Sequence, residues 1–241
     1  SLPAVEMQGG WETVAAQWSG FADPESLVTG FSVCVGTFPE GDDIAPCHDV
    51  GMVFGAVINT SAASAYAGRD TNAGSGSVAN NTFVFVTVHA RNGANLTASA
   101  VSGPLQVDAT PPVAGVVLDG TSGDDEAYTT DAGVICVVAE GFYDLESFVH
   151  HWEVCVGLQS GECGVSAFTV VAPEGDLGNE TDAAEGREVL CLRSLSLTHD
   201  VRVFVGVRAI NSVGHGTGVW SDGVDVVLED PAAGTVVDAG V

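Results

Sequence analysis

The sequence predicts an all-β protein built as two tandem antiparallel β-sandwiches. Three observations predict this class. The chain carries an internal repeat whose period is close to a whole domain. Within each copy, apolar and polar residues alternate with a period of two, and no stretch shows the apolar stripe of a helix. Gly, Asn, Asp and Pro cluster between the alternating runs, as turns require, and short strands without helices are typical of sandwiches.

The repeat defines the predicted modules. Residues 21–36 and 142–157 match at nine of sixteen positions without a gap, and residues 107–120 resemble 226–240. Such fixed-period self-similarity indicates one folding unit used repeatedly. We therefore expect domain 1 at 1–108, without its first strand segment, domain 2 at 109–230, and the first strand segment of a following repeat at 231–241.

The phase of the repeat leaves two interpretations open. In the first, the chain is a window cut from a longer array of the same module. In the second, residues 231–241 of one molecule complete the first domain of the next molecule by strand addition.

The alternation also predicts which side chains enter the cores. In the first copy Leu27, Phe31, Val33 and Val35 share one face of a strand, with Cys34 on the other face. The second copy repeats this with core-facing Phe148, Trp152, Val154 and Val156, and with Cys155 facing outward. Adjacent His150 and His151 are predicted to point to opposite faces, so they would not bind one ion.

A later strand presents one aromatic ring on its outward face in each copy. With Val84, Val86 and Val88 in the core, Phe85 faces outward together with Thr87 and His89, and Phe204 does so in the second copy. Two interpretations stay open: a neighbouring disulfide hairpin covers these rings, or Phe85 and Phe204 form repeated lateral contacts in an assembly.

Six cysteines allow fifteen pairings, which the repeat reduces. Cys34 and Cys155 share an aligned position, and each is followed by a second cysteine, which predicts Cys34–Cys47 and Cys155–Cys163. Cys136 and Cys191 occur only in the second copy, where we align the first with Ala15 and Asn72, so they are predicted to bond to each other across adjacent strands outside the core. Disulfides indicate an oxidising, extracellular compartment.

Charge restricts the possible partners. Thirty-two acidic residues against six arginines and no lysine give a net charge of −26. Such a surface repels phosphate backbones and anionic lipids, so we expect no nucleic-acid partner and no direct membrane insertion. Four Asn-x-Ser/Thr sequons support a secretory route and are candidate N-glycosylation sites: Asn59, Asn80, Asn95 and Asn179.

No catalytic motif occurs, so we expect no enzyme and no cofactor. Asp23/Glu25 and Asp144/Glu146 recur in one loop of each copy, each followed by a serine, and the simplest interpretation is turn chemistry. The alternative is a calcium site, which needs six to eight oxygen ligands. Further acidic residues near the junction of the modules would then contribute: Asp119, Asp124, Asp125 and Glu126.

The pattern V-x-V-x-V-x-A-x-N at 84–92 and 203–211 resembles the penultimate strand of fibronectin type III domains, and an immunoglobulin-like variant fits equally. Together, FxDxES, CVG and DATPPV resemble tandem modules of very large cell-surface glycoproteins, including algal flagellar mastigoneme-type and cell-coat filament proteins. The resemblance implies an extracellular spacer or filament building block, with other copies, neighbouring modules or other glycoproteins as partners. Alternatives are an adhesion or receptor ectodomain binding a protein or glycan through its loops, and an accessory module of a secreted hydrolase.

Overall fold

The computed structural model describes residues 6–10, 12–60, 81–174 and 186–235. Across these ranges the chain forms seventeen β-strands and no helix. The described part of the chain consequently holds no helix long and apolar enough to cross a membrane. The chain divides into two compact units: unit 1 holds Ser1–Thr110 and Ser212–His215, and unit 2 holds Pro111–Asn211 and Gly216–Val241.

Unit 1 contains two sheets. The strands are β1 (Glu6–Gln8), β2 (Thr13–Gln17), β3 (Val28–Gly36), β4 (Ala45–Gly51), β5 (Gly55–Asn59), β6 (Phe83–Asn92), β7 (Thr97–Val101) and β8 (Leu105–Val107). The larger sheet has the order β1-β8-β6-β3-β4, with β7 also paired to β6, and the smaller sheet pairs β2 with β5.

Unit 2 repeats this arrangement and adds one strand. Its strands are β9 (Val116–Asp119), β10 (Tyr128–Thr129), β11 (Val134–Glu140), β12 (Val149–Gly157), β13 (Ser166–Val171), β14 (Arg187–Arg193), β15 (Val201–Asn211), β16 (Gly216–Trp220) and β17 (Val224–Val226). The larger sheet has the order β10-β17-β15-β12-β13, with β16 also paired to β15. The smaller sheet has the order β14-β11-β9.

The predicted class, two tandem all-β sandwiches, is confirmed. One short pairing in each unit is nevertheless parallel, that of β1 with β8 in unit 1 and that of β10 with β17 in unit 2. Both short strands, β1 and β10, lie at an edge of the larger sheet of their unit. All other pairings are antiparallel within the described residues.

Each unit has its own core between its two sheets, and the alternating valines supply most of it. Val84, Val86 and Val88 are buried in unit 1, as are Val203, Val205 and Val207 in unit 2. Both cores contain a pair of aromatic rings in tilted or edge-on contact, Trp18 with Phe31 and Phe142 with Trp152.

The alternation fails at the start of β3 and β12. Leu27 and Phe148, predicted to face the core, are 68% and 74% exposed. Both adopt positive φ, so they lie in the turn before the strand. A register shift then follows between Val28 and Gly30 in β3, and its counterpart occurs in β12. A bulge inserts one residue and reverses which side chains face inward, so Val28 packs against the core instead.

The bulge also corrects the prediction for the two adjacent histidines. His150 and His151 do not point to opposite faces: their Nδ1 atoms are 3.2 Å apart and the rings meet edge to face. The register shift between Val149 and His151 explains the difference. No third His, Cys, Asp or Glu ligand joins them among the described residues.

Candidate assembly edge and the predicted sites

The cysteines form the three predicted pairs, Cys34–Cys47, Cys155–Cys163 and Cys136–Cys191. The first two link β3 to β4 and β12 to the loop before β13, so each closes a short hairpin. The third joins directly opposite residues of β11 and β14, on the outer side of the smaller sheet. It therefore crosslinks neighbouring strands and not the two sheets.

The unit 1 counterpart of Cys191 differs from the prediction. Ala15 occupies the position of Cys136, but the residue directly opposite it on β5 is Val57. Asn72, the predicted counterpart, lies outside the described residues. The prediction was wrong because the segments before β6 and β15 differ in length. The pairing register of β2 with β5 is the same as that of β11 with β14.

The outward face of the larger sheet is less exposed than predicted. Cys34 and Thr87 are cross-strand partners and both are fully buried, as are the equivalent partners Cys155 and Gly206. At this position Cys34 bonds to Cys47 on the adjacent strand β4, and a ring nitrogen of His89 lies within 4.8 Å of both sulfur atoms. Phe85 and Phe204, the predicted interaction residues, are half-buried.

In unit 2 a group of side chains also covers this face. The Trp220 ring lies over Gly206, where an added Cβ would come within 2.8 Å of it. Phe168 meets Trp220 edge to face, and the Arg208 guanidinium lies 3.7 Å from the centre of the Phe168 ring. The half-buried Trp220 ring therefore packs on the sheet between Gly206 and Phe168.

The recurrent Asp-x-Glu-Ser segments form turns. In unit 1, Asp23 Oδ1 accepts the amides of Glu25 and Ser26, and Oδ2 accepts the side-chain amide of Asn92 at the end of β6. The Ser26 amide and the Asn92 side chain hold the pKa of Asp23 below its usual range.

The turn recurs in unit 2. There Asp144 accepts the amides of Glu146 and Ser147 and the side-chain amide of Asn211. These carboxylates thus tie the turn to a distant strand. The pattern V-x-V-x-V-x-A-x-N ends on Asn92 and on Asn211, but the sequence did not predict that these side chains bond to Asp23 and Asp144.

Two predicted sequons lie within the described residues. Asn59 ends β5 and is exposed, and Asn95 is exposed in the turn between β6 and β7. Asn95 adopts a φ of 66°, a left-handed conformation that asparagine tolerates better than most residues. Asn80 and Asn179 lie outside the described residues.

Among the residues that the structure describes, one edge of the smaller sheet of unit 1 is unpaired. In β2, the amide of Trp18 bonds the carbonyl of Phe54, and the carbonyl of Glu12 accepts the amide of Thr60. Because hydrogen-bonding groups alternate sides along a strand, the backbone groups of Ala15 and Gln17 point away from β5. No strand in 6–10, 12–60, 81–174 or 186–235 pairs with that side of β2.

The equivalent edge in unit 2 is filled. Strand β9 pairs antiparallel with β11, with Leu118 opposite Val138 and Val116 opposite Glu140. The pairing extends to Gly120, whose amide bonds the carbonyl of Cys136. Gly115 makes the approach possible, since a Cβ there would lie 2.0 Å from the Glu140 carbonyl oxygen. One strand of a defined sequence thus completes the smaller sheet.

That sequence occurs again in the chain. Residues 112–119 read PVAGVVLD and residues 231–238 read PAAGTVVD, with Pro, Ala, Gly, one Val and Asp at matching positions. In this alignment Gly234 corresponds to Gly115 and Val237 to Leu118. The described residues therefore leave this edge of β2 unpaired, and the chain carries a second copy of the sequence that fills the equivalent edge of unit 2.

Comparisons with known proteins identify no family for this chain. No family model and no curated protein matches the chain. A solved 1.5-MDa bacterial ice-binding adhesin is similar over 90% of this chain and 58% of its own, at 17% identity and a TM-score of 0.40. A Ca²⁺-stabilized adhesin of an Antarctic bacterium is similar over 89% and 43%, at 14% identity and a TM-score of 0.40.

A chicken T-cell receptor is similar over 92% of this chain and 96% of its own, at 10% identity and a TM-score of 0.26. The chain spans about half the length of the two adhesin chains. Likenesses this distant do not bear on what the chain binds.

Proposed function

We propose that this chain is a non-enzymatic structural repeat of an extracellular filament or coat, whose copies join by strand addition at the free edge of β2. The observation that carries the proposal is the contrast between the two units. Strand β9 completes the smaller sheet of unit 2, the matching edge of β2 is unpaired among the described residues, and residues 231–238 repeat the β9 sequence.

The register of the joint follows from unit 2. In β11, the residues whose backbone groups bond to β9 are Cys136, Val138 and Glu140. Their counterparts in unit 1 are Ala15, Gln17 and Ser19. By the same pairing, Val237 of the incoming segment lies opposite Gln17, and Thr235 lies opposite Ser19. Main-chain hydrogen bonds supply the affinity in such joints, and alternate side chains supply the specificity. Val236, the counterpart of buried Val117, would enter the core.

The extracellular setting is supported by chemistry. Three disulfides are typical of an oxidising compartment, and the exposed Asn59 and Asn95 are accessible to glycosylation. The net charge of −26 keeps free modules apart and soluble until specific contacts form. Within this proposal the partners are other copies or neighbouring modules of the same protein, and the assembly implied by the sequence resemblance is a mastigoneme-type or cell-coat filament. The half-buried Phe85 and Phe204 would be secondary lateral contacts.

The test is sedimentation of the full chain over a concentration series. Wild type is expected to form head-to-tail oligomers whose size grows with concentration. Added salt should favour them, because it screens the repulsion between two acidic copies. Replacing Val237 by Pro removes the amide that would bond Gln17, and Gly234→Ala restores the clash that Gly115 avoids, so both variants should be monomers.

Gly234→Ala is also a control for folding, because no atom lies within 4 Å of a Cβ placed there in the free chain. Its melting curve should match that of the wild-type monomer. A wild-type chain that stays monomeric at every concentration and salt, and that fails to bind a labelled peptide of residues 229–241, would refute strand addition. A peptide that binds while the chain stays monomeric would place the donor segment on a neighbouring repeat of one longer chain.

A further inference from the structure

Unit 2 contains a buried carboxylate with no Arg or His ion-pair partner among the described residues. Asp119 ends β9, is 1% exposed, and has no hydrogen-bond partner of normal geometry on either carboxylate oxygen. An isolated buried carboxylate is costly, so such groups are normally paired, protonated or bound to a metal ion. The position of Asp119 therefore requires an explanation.

Two further carboxylates face the same point. Oxygens of Asp119, Asp125 and Asp222 all lie within 4.8 Å of one another. Asp125 follows β9 in the next loop, where its Oδ1 accepts the Asp119 amide at 2.8 Å. Asp222 lies in the connection between β16 and β17. Among the described residues no Arg or His nitrogen comes within 4.0 Å of these three side chains.

Backbone hydrogen bonds position the three carboxylates but do not neutralise their negative charge. The loop returns to β9 through the Glu126 amide, which bonds the Asp119 carbonyl. Ser221 and Gly223 flank Asp222, and the Ser221 hydroxyl accepts the Val205 amide. Burial raises the pKa of Asp119 to about 6, and the hydroxyl of Ser221 offsets only part of that cost.

We propose that Asp119, Asp125 and Asp222 bind one Ca²⁺ ion. Three carboxylates supply three to six oxygens, and water at the exposed Asp125 and Asp222 supplies the rest of a six- to eight-oxygen shell. Carboxylate oxygens without nitrogen or sulfur ligands suit a hard cation. A partly hydrated site of this kind matches the affinity of extracellular calcium modules, a Kd of roughly 10⁻⁴ to 10⁻³ M.

The ion would link three separate segments of unit 2. Asp119 belongs to the smaller sheet, Asp222 to the connection between β16 and β17 of the larger sheet, and Asp125 to the loop after β9. Binding would therefore fasten β9, the strand that completes the sandwich, to the closing strands. The described part of unit 1 has no counterpart of Asp222: Ser102, like Ser221, accepts a strand amide, but Gly103 follows it where Asp222 stands in unit 2.

The test is calorimetry of the full chain in EDTA and in a Ca²⁺ series, with titration calorimetry for the Kd. In Ca²⁺ at about ten times the Kd, the melting transition of unit 2 should rise by about 5 °C, and that of unit 1 should not move. Asp222→Asn should abolish the rise. Asp124→Asn, an exposed neighbour with the same change of charge, should keep it.

Asp119→Asn separates a metal ligand from a merely structural residue. In EDTA this variant should melt above wild type, because it removes an unpaired buried charge, and in Ca²⁺ it should show no further rise. A wild-type chain without a Ca²⁺-dependent shift or binding heat would overturn the proposal. So would variants at 119 and 222 that respond like wild type, or an equal response to Mg²⁺ at equal concentration.

Discussion

Removing the Cys136–Cys191 disulfide tests how unit 2 is held together. The variant Cys136→Ala/Cys191→Val installs the pair that unit 1 already carries at the same opposing positions, Ala15 and Val57. Because both cysteines lie on the outer side of the smaller sheet, the core of unit 2 keeps its packing. The change therefore removes the crosslink with little other disturbance.

The magnitude follows from loop length. The two cysteines are 55 residues apart, and closing a loop of that length removes unfolded-chain entropy worth about 4 kcal/mol at 25 °C. The same relation gives about 3 kcal/mol for Cys34–Cys47, which are 13 residues apart. A domain of about 120 residues loses roughly 4 °C of melting temperature per kcal/mol, so unit 2 should melt about 15 °C lower.

Differential scanning calorimetry of the full chain, without reductant, measures the shift, with unit 1 as internal reference. Since the effect acts on the unfolded state, the denaturant m-value of unit 2 should increase as its unfolded chain expands. A shift below about 5 °C, or an unchanged m-value, would show that loop closure is not the origin of the stabilisation. A shift in unit 1 would show that the two units do not unfold separately.

Three further changes have defined outcomes in unfolding experiments. Gly115→Ala places a Cβ against the Glu140 carbonyl and should cost about 1–3 kcal/mol by loosening β9, which faster hydrogen exchange in 116–119 would reveal; unchanged exchange would contradict this. Asp144→Ala leaves three donors without their acceptor, including the Asn211 amide, and should cost about 3 kcal/mol in chemical denaturation, whereas a loss below about 1 kcal/mol would show that water replaces them. In EDTA, the folded pKa of Asp119 lies above its ordinary 3.8, at about 6, so the folded state holds the extra proton and stability falls as pH rises through that window. The stability difference between Asp119→Asn and wild type should therefore grow by up to about 3 kcal/mol between pH 4 and 6 and then stay level, and a difference independent of pH would contradict the burial of that charge.

The sequence predicted those features that depend on local period or on the repeat. Alternation identified the core valines of β6 and β15, because side chains on regular strands switch faces at each residue. The repeat identified the disulfides, since Cys34 and Cys155 share a position and Cys136 and Cys191 are missing together from the other copy. Neither inference needs a knowledge of distant contacts.

Features that depend on register or on distant packing were not predictable in this way. Leu27 and Phe148 were assigned to the core because an unbroken alternation was assumed, and one bulge in each copy interrupts it. The cluster of Asp119, Asp125 and Asp222 joins segments about one hundred residues apart. Sequence indicated the first two acids near the junction of the modules, but only strand pairing brings Asp222 beside them.

The position of β9 also implies an order of stability between the units. In unit 2 this strand covers an edge, places Val117 in the core and adds backbone hydrogen bonds, and β11 and β14 carry a disulfide of their own. Unit 1 as described has neither the strand nor that disulfide. Burying one valine contributes about 1.5–3 kcal/mol, and the crosslink about 4 kcal/mol, so unit 1 should melt first by well over 10 °C.

A donor segment should reduce this difference. Saturating the full chain with the peptide of residues 229–241 should raise the melting temperature of unit 1 alone, whereas the same peptide with Val237→Pro should have no effect. If unit 1 instead melts together with unit 2, and the peptide does not change its melting temperature, its smaller sheet is stable with two strands. The segment shared by 112–119 and 231–238 would then be a connector and not a structural strand of unit 1. If the peptide does raise the melting temperature of unit 1, the stability of that unit depends on a donor segment, and a unit without one is the less stable of the two.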